Sequence, residues 1–579
     1  MLNIEASIME KFPEITHKKT GRLAVKLIKS MAHEDEINNF IQTHHHLRGF
    51  AFLDEVLKYF NFSYKVNSQA LNRIPSQGRI ILVANHPLGS LDGLALLKMV
   101  RSVRADVKIV ASELLSTIKP LESLFLSIDN INGKTAHKAQ FQQILNALEN
   151  EQAVIIFPAG EVSRIRPNGV RDGKWKAGFL KLSQKSKSPI QPIYIDARNS
   201  SLFYALSSLY KPLGTLMLVK EMFNKQYQEI QFFVGKPVPF KEVEKSDLNS
   251  KHLANQFRKH LYSLDKEKKL TKKGKASYFQ TEETIVHPVN SKELKKELKK
   301  SQLLGQTQDG KTIYLYDYKD DSPVMQEIGR LRELTFRSVE EGTGNILDLD
   351  EYDVRYRHLV LWDDDELDIV GAYRIGECQN IVEQHGLKGL YSHTLFNLKP
   401  EIESYLPNAL ELGRSFVQPK YWGKRSLDYL WYGIGAYIAK HPQIKYLFGP
   451  VSLSDAYPQN SKELIIGFFD QQLGSKQDLA SAKHPLKLNK NNQKIAEEVF
   501  SGDYKESYRK LNALLNLEGV KVPTLFKQYA EVANDKGCRF IDFSIDPDFN
   551  NCVDALILVE LDKLKPKKRE RYLNPIKSK

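Results

Sequence analysis

The sequence predicts an α/β protein with two domains on either side of a lysine-rich linker. Segments typical of buried strands alternate with helical segments before residue 265, and again after residue 294. The linker, 265–294, contains many lysines and few apolar anchors, which is typical of a domain boundary. A chain of 579 residues is also long enough for more than one hydrophobic core.

The first predicted domain, 61–264, follows a helical lead-in at 1–60. Helices are predicted over 92–102 and 135–150 from their apolar periodicity. The strands alternate with these helices and are short apolar runs: RIILVA (79–84), VKIVAS (107–112), AVIIF (153–157), IQPIYI (190–195) and IQFFVG (230–235).

The second predicted domain, 295–561, repeats this alternation and ends in a basic tail, 562–579. Its helices are expected over 324–339 and 425–440. Its strands are again short apolar runs: TIYLYD (312–317), HLVLW (358–362), DIVGAYRIG (368–376), ALELGRSFV (409–417), KYLFGPV (445–451), FIDFSI (540–545) and ALILVEL (555–561). The second and third of these strands flank DDDEL and are predicted to form a hairpin.

The formal net charge of +14 is concentrated in two short segments. The region 265–300 has a net charge of +5 and the tail has a net charge of +6, so the remainder is close to neutral. Such segments could contact nucleic acid, anionic lipid or an acidic protein, or could simply be solvated. Since the sequence contains no recognisable nucleic-acid-binding module, we expect no nucleic-acid partner.

Cysteine usage and hydropathy exclude further classes of protein. The three cysteines, Cys378, Cys538 and Cys552, are too few for a disulfide framework and lack zinc-ligand spacing. We therefore expect a reducing compartment and no metal site. The sequence has no run of about 18 apolar residues, so it predicts no simple membrane-spanning helix.

The segment ILVANHPLGSLDG (81–93) contains the first candidate catalytic pair, His86 and Asp92. Because these residues are six positions apart, one helix cannot present both on the same face, and His86 is predicted in the loop before the helix. A carboxylate bound to one ring nitrogen would fix the tautomer of His86 and leave the other nitrogen as a base. A histidine that merely caps a turn explains the motif equally well.

Two further blocks follow in order, FPAGEVSR (157–164) and PIQPI (189–193). Together with the His86 motif they resemble the glycerolipid acyltransferase family, which moves an acyl chain from a thioester to a lipid hydroxyl. The resemblance implies that His86 is the general base and that Asp92 orients it. It also implies an acceptor site formed by Asn85, Gly160, Glu161 and Arg164. Asn130 stands where that family has an acceptor-binding arginine, which disfavours glycerol 3-phosphate as the acceptor.

The second candidate site lies in ELGRSFVQPKYWGKRSLDYLW (411–431), a predicted strand, turn and helix. Free N–H groups at the start of the helix, beside Gly423, Lys424 and Arg425, form an anion site. The segment resembles the GNAT N-acyltransferases, in particular the autoinducer synthase-like and hemolysin-like members that use acyl carrier protein. By this resemblance Glu411 accepts a proton from the attacking amine, while Arg414 binds a substrate carboxylate or fixes Glu411. A purely structural Glu411–Arg414 pair is the alternative.

The fusion of the two halves resembles the bifunctional bacterial ornithine lipid synthases, with glycine lipid synthases as close relatives. The resemblance implies an acyltransferase whose C-terminal half joins a 3-hydroxyacyl chain to the amine of an amino acid, with ornithine expected over glycine. The N-terminal half then acylates the hydroxyl of that lyso-lipid. The alternatives are a glycerophospholipid acyltransferase with a degenerate GNAT domain and a non-enzymatic, hemolysin-like membrane-binding protein.

The same resemblance implies the partners and the cellular location of the protein. The acyl donor is expected to be acyl carrier protein, whose phosphopantetheine bears the thioester, with no further cofactor. The acceptors are the amino acid and the lyso-lipid. Because both the acceptor and the product of the second transfer are lipids, we expect peripheral attachment to the inner face of the bacterial cytoplasmic membrane, from the cytoplasm.

Overall fold

The structure is a computed structural model that describes residues 33–573, except 90, 111–117, 127–133, 167–168, 210–217, 226–227, 265–277 and 535. The expected lead-in before residue 33, Asn130 and the end of the tail after residue 573 therefore lie outside the described residues. The chain divides into two compact units, Met1–His287 and Pro288–Lys579. The division lies inside the segment that the sequence marks as a linker, 265–294.

The described part of the first unit contains a seven-stranded sheet in the order β1-β9-β8-β2-β5-β3-β4, and a small hairpin, β6-β7. Neighbouring strands of the sheet are parallel, except that β8 and β9 are antiparallel. The strands are β1 (Ser63–Val66), β2 (Ile80–Ala84), β3 (Val107–Val110), β4 (Phe125–Leu126), β5 (Ala153–Ile156), β6 (Arg164–Arg166), β7 (Gly169–Arg171), β8 (Ile190–Asp196) and β9 (Glu229–Val234).

Helices cover both faces of this sheet, which explains why β2 is apolar at every position. Ile80, Leu82 and Ala84 enter one core, whereas Ile81 and Val83 enter another, and all five are fully buried. The helices described in this unit are α1 (Glu34–Thr43), α2 (Phe50–Tyr59), α3 (Ser68–Leu71), α4 (Leu91–Arg101), α5 (Lys134–Glu149), α6 (Gly178–Ser186), α7 (Ser201–Leu209), α8 (Phe240–Glu244) and α9 (Ser250–Ser263).

The described end of the lead-in packs onto this unit rather than standing apart from it. Phe52, Leu53 and Leu57 of α2 are buried in the same core as β2. Leu53 and Leu57 are four positions apart and Phe52 adjoins Leu53, so the three lie on one side of α2, and this apolar side attaches the helix to the sheet.

The carboxyl ends of β2 and β5 bring the predicted acyltransferase blocks together. These strands are parallel neighbours, with Val83 opposite Ile156. Asn85 and His86 directly follow β2, and the FPAG segment directly follows β5. Since parallel neighbours end at one edge of a sheet, two motifs about 70 residues apart in sequence form one site.

The described part of the second unit contains an eight-stranded sheet in the order β10-β11-β12-β13-β15-β16-β19-β18, and a two-stranded pair, β14-β17. In the large sheet β15 and β16 are parallel, and the other neighbours are antiparallel. The strands are β10 (Gln302–Gln306), β11 (Thr312–Asp317), β12 (Arg357–Asp363), β13 (Asp368–Glu377), β14 (Phe396–Leu398), β15 (Ala409–Val417), β16 (Tyr446–Leu453), β17 (Ala480–Ala482), β18 (Cys538–Asp546) and β19 (Cys552–Glu560).

The predicted hairpin around DDDEL is β12-β13, and the predicted helix at 425–440 connects β15 to β16. This crossover is what allows the two strands to run parallel. The helices described in this unit are α10 (Ser291–Leu298), α11 (Pro323–Ser338), α12 (Cys378–His385), α13 (Ser426–Lys440), α14 (Gln459–Leu473), α15 (Lys490–Val499), α16 (Tyr504–Leu517), α17 (Thr524–Ala530) and α18 (Pro566–Leu573).

The paired part of β15 and β16 is short. Their register ends at Glu411 opposite Phe448, after which β15 continues beside β13 and β16 continues beside β19. Just beyond this point Arg414 has a left-handed backbone, with φ of 47°, and the pairing of β13 with β15 shifts register. The bulge turns the strand at the position where the candidate catalytic residues lie.

Residues 566–573, which the sequence places in a basic tail, form helix α18 and pack on α13. Tyr572 is buried, its ring centroid lies 5.5 Å from that of Trp431, and its hydroxyl donates to Asp428 Oδ1 at 2.9 Å. Gly435 of α13 makes room for this contact, since a Cβ there would clash with the Tyr572 carbonyl oxygen. This part of the basic segment therefore belongs to the folded unit. Within the described ranges, no helix combines the length and apolarity needed to cross a bilayer.

Candidate active sites

His86 and Asp92 form a pair at the end of β2. His86 Nδ1 lies 3.1 Å from Asp92 Oδ2, and Asp92 is fully buried in the first turn of α4. Asp92 also accepts backbone N–H groups from Leu88 at 2.9 Å and from Gly93 at 3.0 Å. These contacts fix the carboxylate, which in turn holds the imidazole. No described residue hydrogen-bonds His86 Nε2, so this nitrogen is available as a base.

His86 and Asp92 shift each other's pKa in opposite directions. Burial lowers the pKa of His86, but the negative charge and hydrogen bond of Asp92 and the charge of Asp172 outweigh it, and the net pKa is raised. Burial raises the pKa of Asp92, but His86 and the backbone donors outweigh it, and the net pKa is lowered. Asp92 therefore stays ionised and strengthens His86 as a proton acceptor.

The surroundings of His86 include Phe157 and Ser163 of the FPAGEVSR block and also Asp172, which the sequence did not indicate. The imidazole stacks on Phe157, with ring centroids 4.1 Å apart and an interplanar angle of 19°. The His86 N–H donates to Asp172 Oδ1 at 3.3 Å, and the His86 carbonyl accepts the Ser163 N–H at 2.8 Å. Asp172 is fully buried. No local motif marks it, because it reaches the site from 86 positions along the chain.

Asn85 is engaged in joining two strands. Its side chain donates to the Ile195 carbonyl at 2.9 Å and accepts the Ile195 N–H at 2.7 Å. This amide therefore ties the end of β2 to β8 and sets the direction of the His86 loop. A direct role for Asn85 in substrate binding stays a prediction.

The FPAG turn and the β6-β7 hairpin carry the remaining predicted residues of the first site. Gly160 has φ of 65° and its N–H donates to the Phe157 carbonyl at 3.1 Å, which closes a tight turn. Arg164 is mostly buried, and its Nε and Nη1 have no hydrogen-bond partner among the described residues. Glu161 Oε2 lies 3.9 Å from Arg164 Nε. Arg164 thus directly follows Ser163, the residue bonded to His86, and retains unused donors.

Glu411 forms the centre of the second site and is almost fully buried. Its Oε2 accepts the hydroxyl of Tyr356, and its Oε1 accepts the Ser392 N–H at 2.7 Å. The Tyr356 oxygen in turn accepts the Tyr391 N–H at 3.0 Å. Burial raises the pKa of Glu411; the hydrogen bonds and the charge of Arg374 lower it less, so the net pKa is raised. A carboxylate of raised pKa is a better base near neutral pH.

The partners described for Arg414 are Asp348 and Asp350, and those described for Glu411 are Tyr356 and Ser392, so the expected alternative of a structural Glu411–Arg414 ion pair is wrong. Its Nε lies 3.4 Å from Asp348 Oδ2 and its Nη2 lies 3.4 Å from Asp350 Oδ2. Two residues three positions apart in a regular strand point to opposite faces, so strand geometry gives no reason for Glu411 and Arg414 to pair. Its guanidinium carbon lies 4.8 Å from the Tyr391 ring centroid and 4.7 Å from that of Phe549.

A buried acidic set, which we define as Glu341, Asp546 and Asp554, lies near Arg414. Burial raises the pKa of Glu341 to about 7, although its hydrogen bond from Ser452 and the charge of Arg414 oppose this. Burial, followed by the charges of Asp546 and Glu341, raises the pKa of Asp554 to about 8. The set therefore contains more buried carboxyl groups than Arg414 can neutralise.

The predicted anion-binding turn precedes α13. Gly423 has φ of 73°, and Lys424 and Arg425 are exposed beside the first residue of the helix. Arg425 pairs with Asp428 at 3.6 Å, whereas no ion pair is described for Lys424. Lys420 bonds to Asp368 at 2.8 Å and to Glu366 at 3.2 Å, so its charge is neutralised locally.

Throughout the described residues, no group of three or more His, Cys, Asp or Glu side chains could hold a metal ion. Both sites offer general bases and hydrogen-bond donors. A buried histidine–aspartate pair and a buried glutamate with raised pKa are each suited to accept a proton from a nucleophile.

Comparison with known proteins finds two acyltransferase families along the chain. A family model described as "Acyltransferase" matches residues 6–269, and one described as "Acetyltransferase (GNAT) domain" matches residues 331–432. Glycine N(alpha)-acyltransferase from Phocaeicola vulgatus is 33% identical over 306 residues, which cover 50% of this chain and 93% of the relative.

Two further relatives are named for O-acyl and N-acyl transfer. Lyso-glycine lipid O-acyltransferase from Bacteroides thetaiotaomicron is 32% identical over 255 residues, covering 42% of this chain and 91% of the relative. L-ornithine N(alpha)-acyltransferase from Brucella abortus is 34% identical over 140 residues, covering 23% of this chain and 46% of the relative.

The folds and sites define a two-domain acyltransferase, with an acyltransferase domain followed by a GNAT domain. The chain belongs to the family of aminolipid acyltransferases that these relatives represent. It is an enzyme, and the two-domain α/β prediction is confirmed. The alternative of a non-enzymatic, hemolysin-like protein is not supported.

Proposed function

We propose that this chain makes an acyloxyacyl aminolipid through two successive acyl transfers. The C-terminal unit joins a 3-hydroxyacyl group to the amine of an amino acid. The N-terminal unit then acylates the new lipid's hydroxyl group. The observation that carries the proposal is the presence, in one chain, of a His86–Asp92 pair and a buried Glu411, in units whose relatives perform O- and N-acyl transfer.

In the first transfer the neutral amine attacks the thioester carbonyl carbon, forming a C–N bond. Glu411 accepts the proton that the nitrogen loses, directly or through water, and the C–S bond breaks. Glu411 then passes this proton, directly or through water, to the departing thiolate, which regenerates both the ionised base and the thiol carrier. The raised pKa of Glu411 supports this role. Arg414 lies three residues after Glu411 in β15, and its guanidinium is suited to contact the amino acid's carboxylate.

In the second transfer His86 Nε2 removes the proton from the 3-hydroxyl of the lyso-lipid. The oxygen attacks a second thioester, the C–S bond breaks, and His86 returns the proton to the sulfur. Asp92 stabilises the imidazolium formed in between. The unused Arg164 donors support binding of the lipid's carboxylate next to this base.

Acyl carrier protein is the proposed donor, and an anionic membrane surface is the proposed site of action. Lys424 and Arg425 offer exposed positive charge beside the start of α13, which suits a phosphopantetheine attached to an acidic protein. Basic residues of α18 support binding to anionic lipid, which high salt should weaken. Co-sedimentation with anionic vesicles at low and high salt tests the membrane part. A protein that stays in the supernatant at low salt contradicts it.

Ornithine is the proposed amino acid, with glycine as the second candidate. The buried acidic set near Arg414 favours an acceptor with a second ammonium group, because that charge would compensate the excess carboxyl groups. The names of the relatives that this chain covers almost completely favour glycine. Turnover of purified enzyme with each amino acid and 3-hydroxyacyl carrier protein discriminates between them.

Lipid analysis of a host that lacks aminolipids and expresses this chain tests the whole proposal. Wild type should yield the diacylated lipid, His86→Ala should accumulate the mono-acylated lyso-lipid, and Glu411→Gln should yield neither. His45→Ala and Glu383→Gln replace exposed residues of the same types and serve as controls. Diacylated lipid at the wild-type level in either active-site variant contradicts the assigned role.

A further inference from the structure

We propose that Asp172 is a positioning residue that, together with Ser163, holds the backbone of His86 in its reactive placement. The inference rests on the proposed role of His86 as the O-acylation base. The acyltransferase blocks do not include Asp172, which follows the β6-β7 hairpin. The observation behind this inference is a closed ring of hydrogen bonds through His86, Asp172 and Ser163.

The ring takes up both polar groups of the His86 backbone. The His86 N–H donates to Asp172 Oδ1 at 3.3 Å, and the Ser163 hydroxyl donates to the same oxygen at 2.5 Å. The Ser163 N–H donates to the His86 carbonyl at 2.8 Å, which closes the ring. Asp92 and Phe157 hold the imidazole separately. The backbone and the imidazole of His86 are therefore fixed by different partners.

A carboxylate is the group that fits the position of Asp172. Its Oδ2 accepts the Trp175 indole N–H at 2.9 Å, so the two oxygens together accept three donors. An asparagine has one acceptor oxygen and one donor amide, and would lose at least one of these bonds. Asp172, Ser163 and Trp175 are all almost completely buried, so water cannot readily replace a lost partner.

Asp172 is itself anchored to α9. Its N–H donates to the Tyr262 hydroxyl oxygen at 2.8 Å, and Arg258 donates to the Asp172 carbonyl at 2.9 Å. The ring of hydrogen bonds around the His86 backbone is thus supported by α9 as well as by the hairpin. A rigid support matters because displacement of a catalytic base by about 1 Å can cost roughly 100-fold in rate.

The test compares O-acyl transfer by Asp172→Asn, Ser163→Ala and Ser183→Ala in the full chain. Ser183 is a fully buried serine whose hydroxyl donates to the Ser188 carbonyl in another part of this unit, so it controls for loss of a buried hydrogen bond. N-acyl transfer by each variant controls for the integrity of the second unit, and thermal unfolding controls for that of the first.

We expect kcat for O-acyl transfer to fall about 10- to 100-fold in Asp172→Asn and about 3- to 10-fold in Ser163→Ala. KM for the lyso-lipid should stay within about twofold, and Ser183→Ala should retain its kcat. Burial raises the pKa of Asp172, and its hydrogen bonds and the charge of His86 oppose this. Where Asp172 is ionised its charge helps to raise the pKa of His86, so the acidic limb of the kcat/KM profile should move to lower pH in Asp172→Asn. A structural role alone would not move this limb.

Retention of kcat and of the pH profile in Asp172→Asn would overturn the inference, provided that His86→Ala is inactive in O-acyl transfer. If His86→Ala retains O-acyl transfer, the proposed function of His86 has failed instead. Should Asp172→Asn unfold at the assay temperature, Ser163→Ala decides, since it removes one donor and leaves the charge. An unchanged kcat in that variant overturns the inference.

Discussion

The hydroxyl of Tyr356 donates to Glu411, and the same oxygen accepts the backbone N–H of Tyr391. Tyr356 is thus held in one orientation with its proton directed at the carboxylate. This bond lowers the pKa of Glu411, against the larger effect of burial that raises it. Tyr356 therefore limits how far burial raises the pKa of Glu411.

Replacing Tyr356 with phenylalanine should raise the pKa of Glu411 further, since the donor that favours its ionised form is lost. Because the base must be ionised, the acidic limb of the pH profile for N-acyl transfer should move to higher pH. At low pH the rate should fall about tenfold. Tyr373→Phe, which removes another buried hydroxyl of this unit, is the control. An unshifted profile in Tyr356→Phe would show that the two groups are not coupled.

Replacing Asp92 with asparagine should reduce O-acyl transfer at least about 100-fold, because His86 loses the partner that fixes its tautomer. The remaining activity should extend to lower pH, since the charge of Asp92 no longer raises the pKa of His86. Rates with purified lyso-lipid across pH measure both effects. Asp54→Asn, which removes an exposed partner of Lys98, should change neither. Near-normal O-acyl transfer in Asp92→Asn would contradict the pairing.

Asp554→Asn should stabilise the second unit. The pKa of Asp554 is raised to about 8, so the folded protein retains a proton that the unfolded chain releases from about pH 4 upward. This carboxyl therefore destabilises the fold increasingly as pH rises through that window. Asp554→Asn should raise Tm by several degrees near pH 8 and by less near pH 5. Asp478→Asn, at an exposed position, should leave Tm unchanged at both. A lower Tm in Asp554→Asn would contradict the prediction.

Reversing charge at the turn, with Lys424→Glu and Arg425→Glu together, should raise KM for acyl carrier protein about tenfold at low salt and by less at high salt. Lys440→Glu, at the far end of α13, is the control and should have little effect. Steady-state rates over a range of carrier concentrations measure the change. An equal turnover with acyl coenzyme A at similar concentration would argue against a carrier protein as the donor.

The sequence was sufficient to predict features that depend on residues close together in the chain. Strand β2 is apolar at every position, and His86 and Asp92 are only six residues apart, so element and pair could both be predicted. Tyr356 reaches Glu411 across 55 positions, and no periodicity reveals such a contact. The direction of Arg414 depends on a left-handed backbone in a strand. Helix α18 was missed because Tyr572 is its one buried residue among charged neighbours.

The division of the chain into two units, each with its own core, has a consequence for how the product is made. Separate relatives match the chain over about half its length each, and their names assign one reaction to each protein. In a cell with separate enzymes, the ratio of the two depends on how much of each is synthesised. Here every translated copy supplies one centre of each kind. The accumulation of the mono-acylated lyso-lipid therefore depends on the relative turnover of the two centres. It does not depend on the relative expression of two genes.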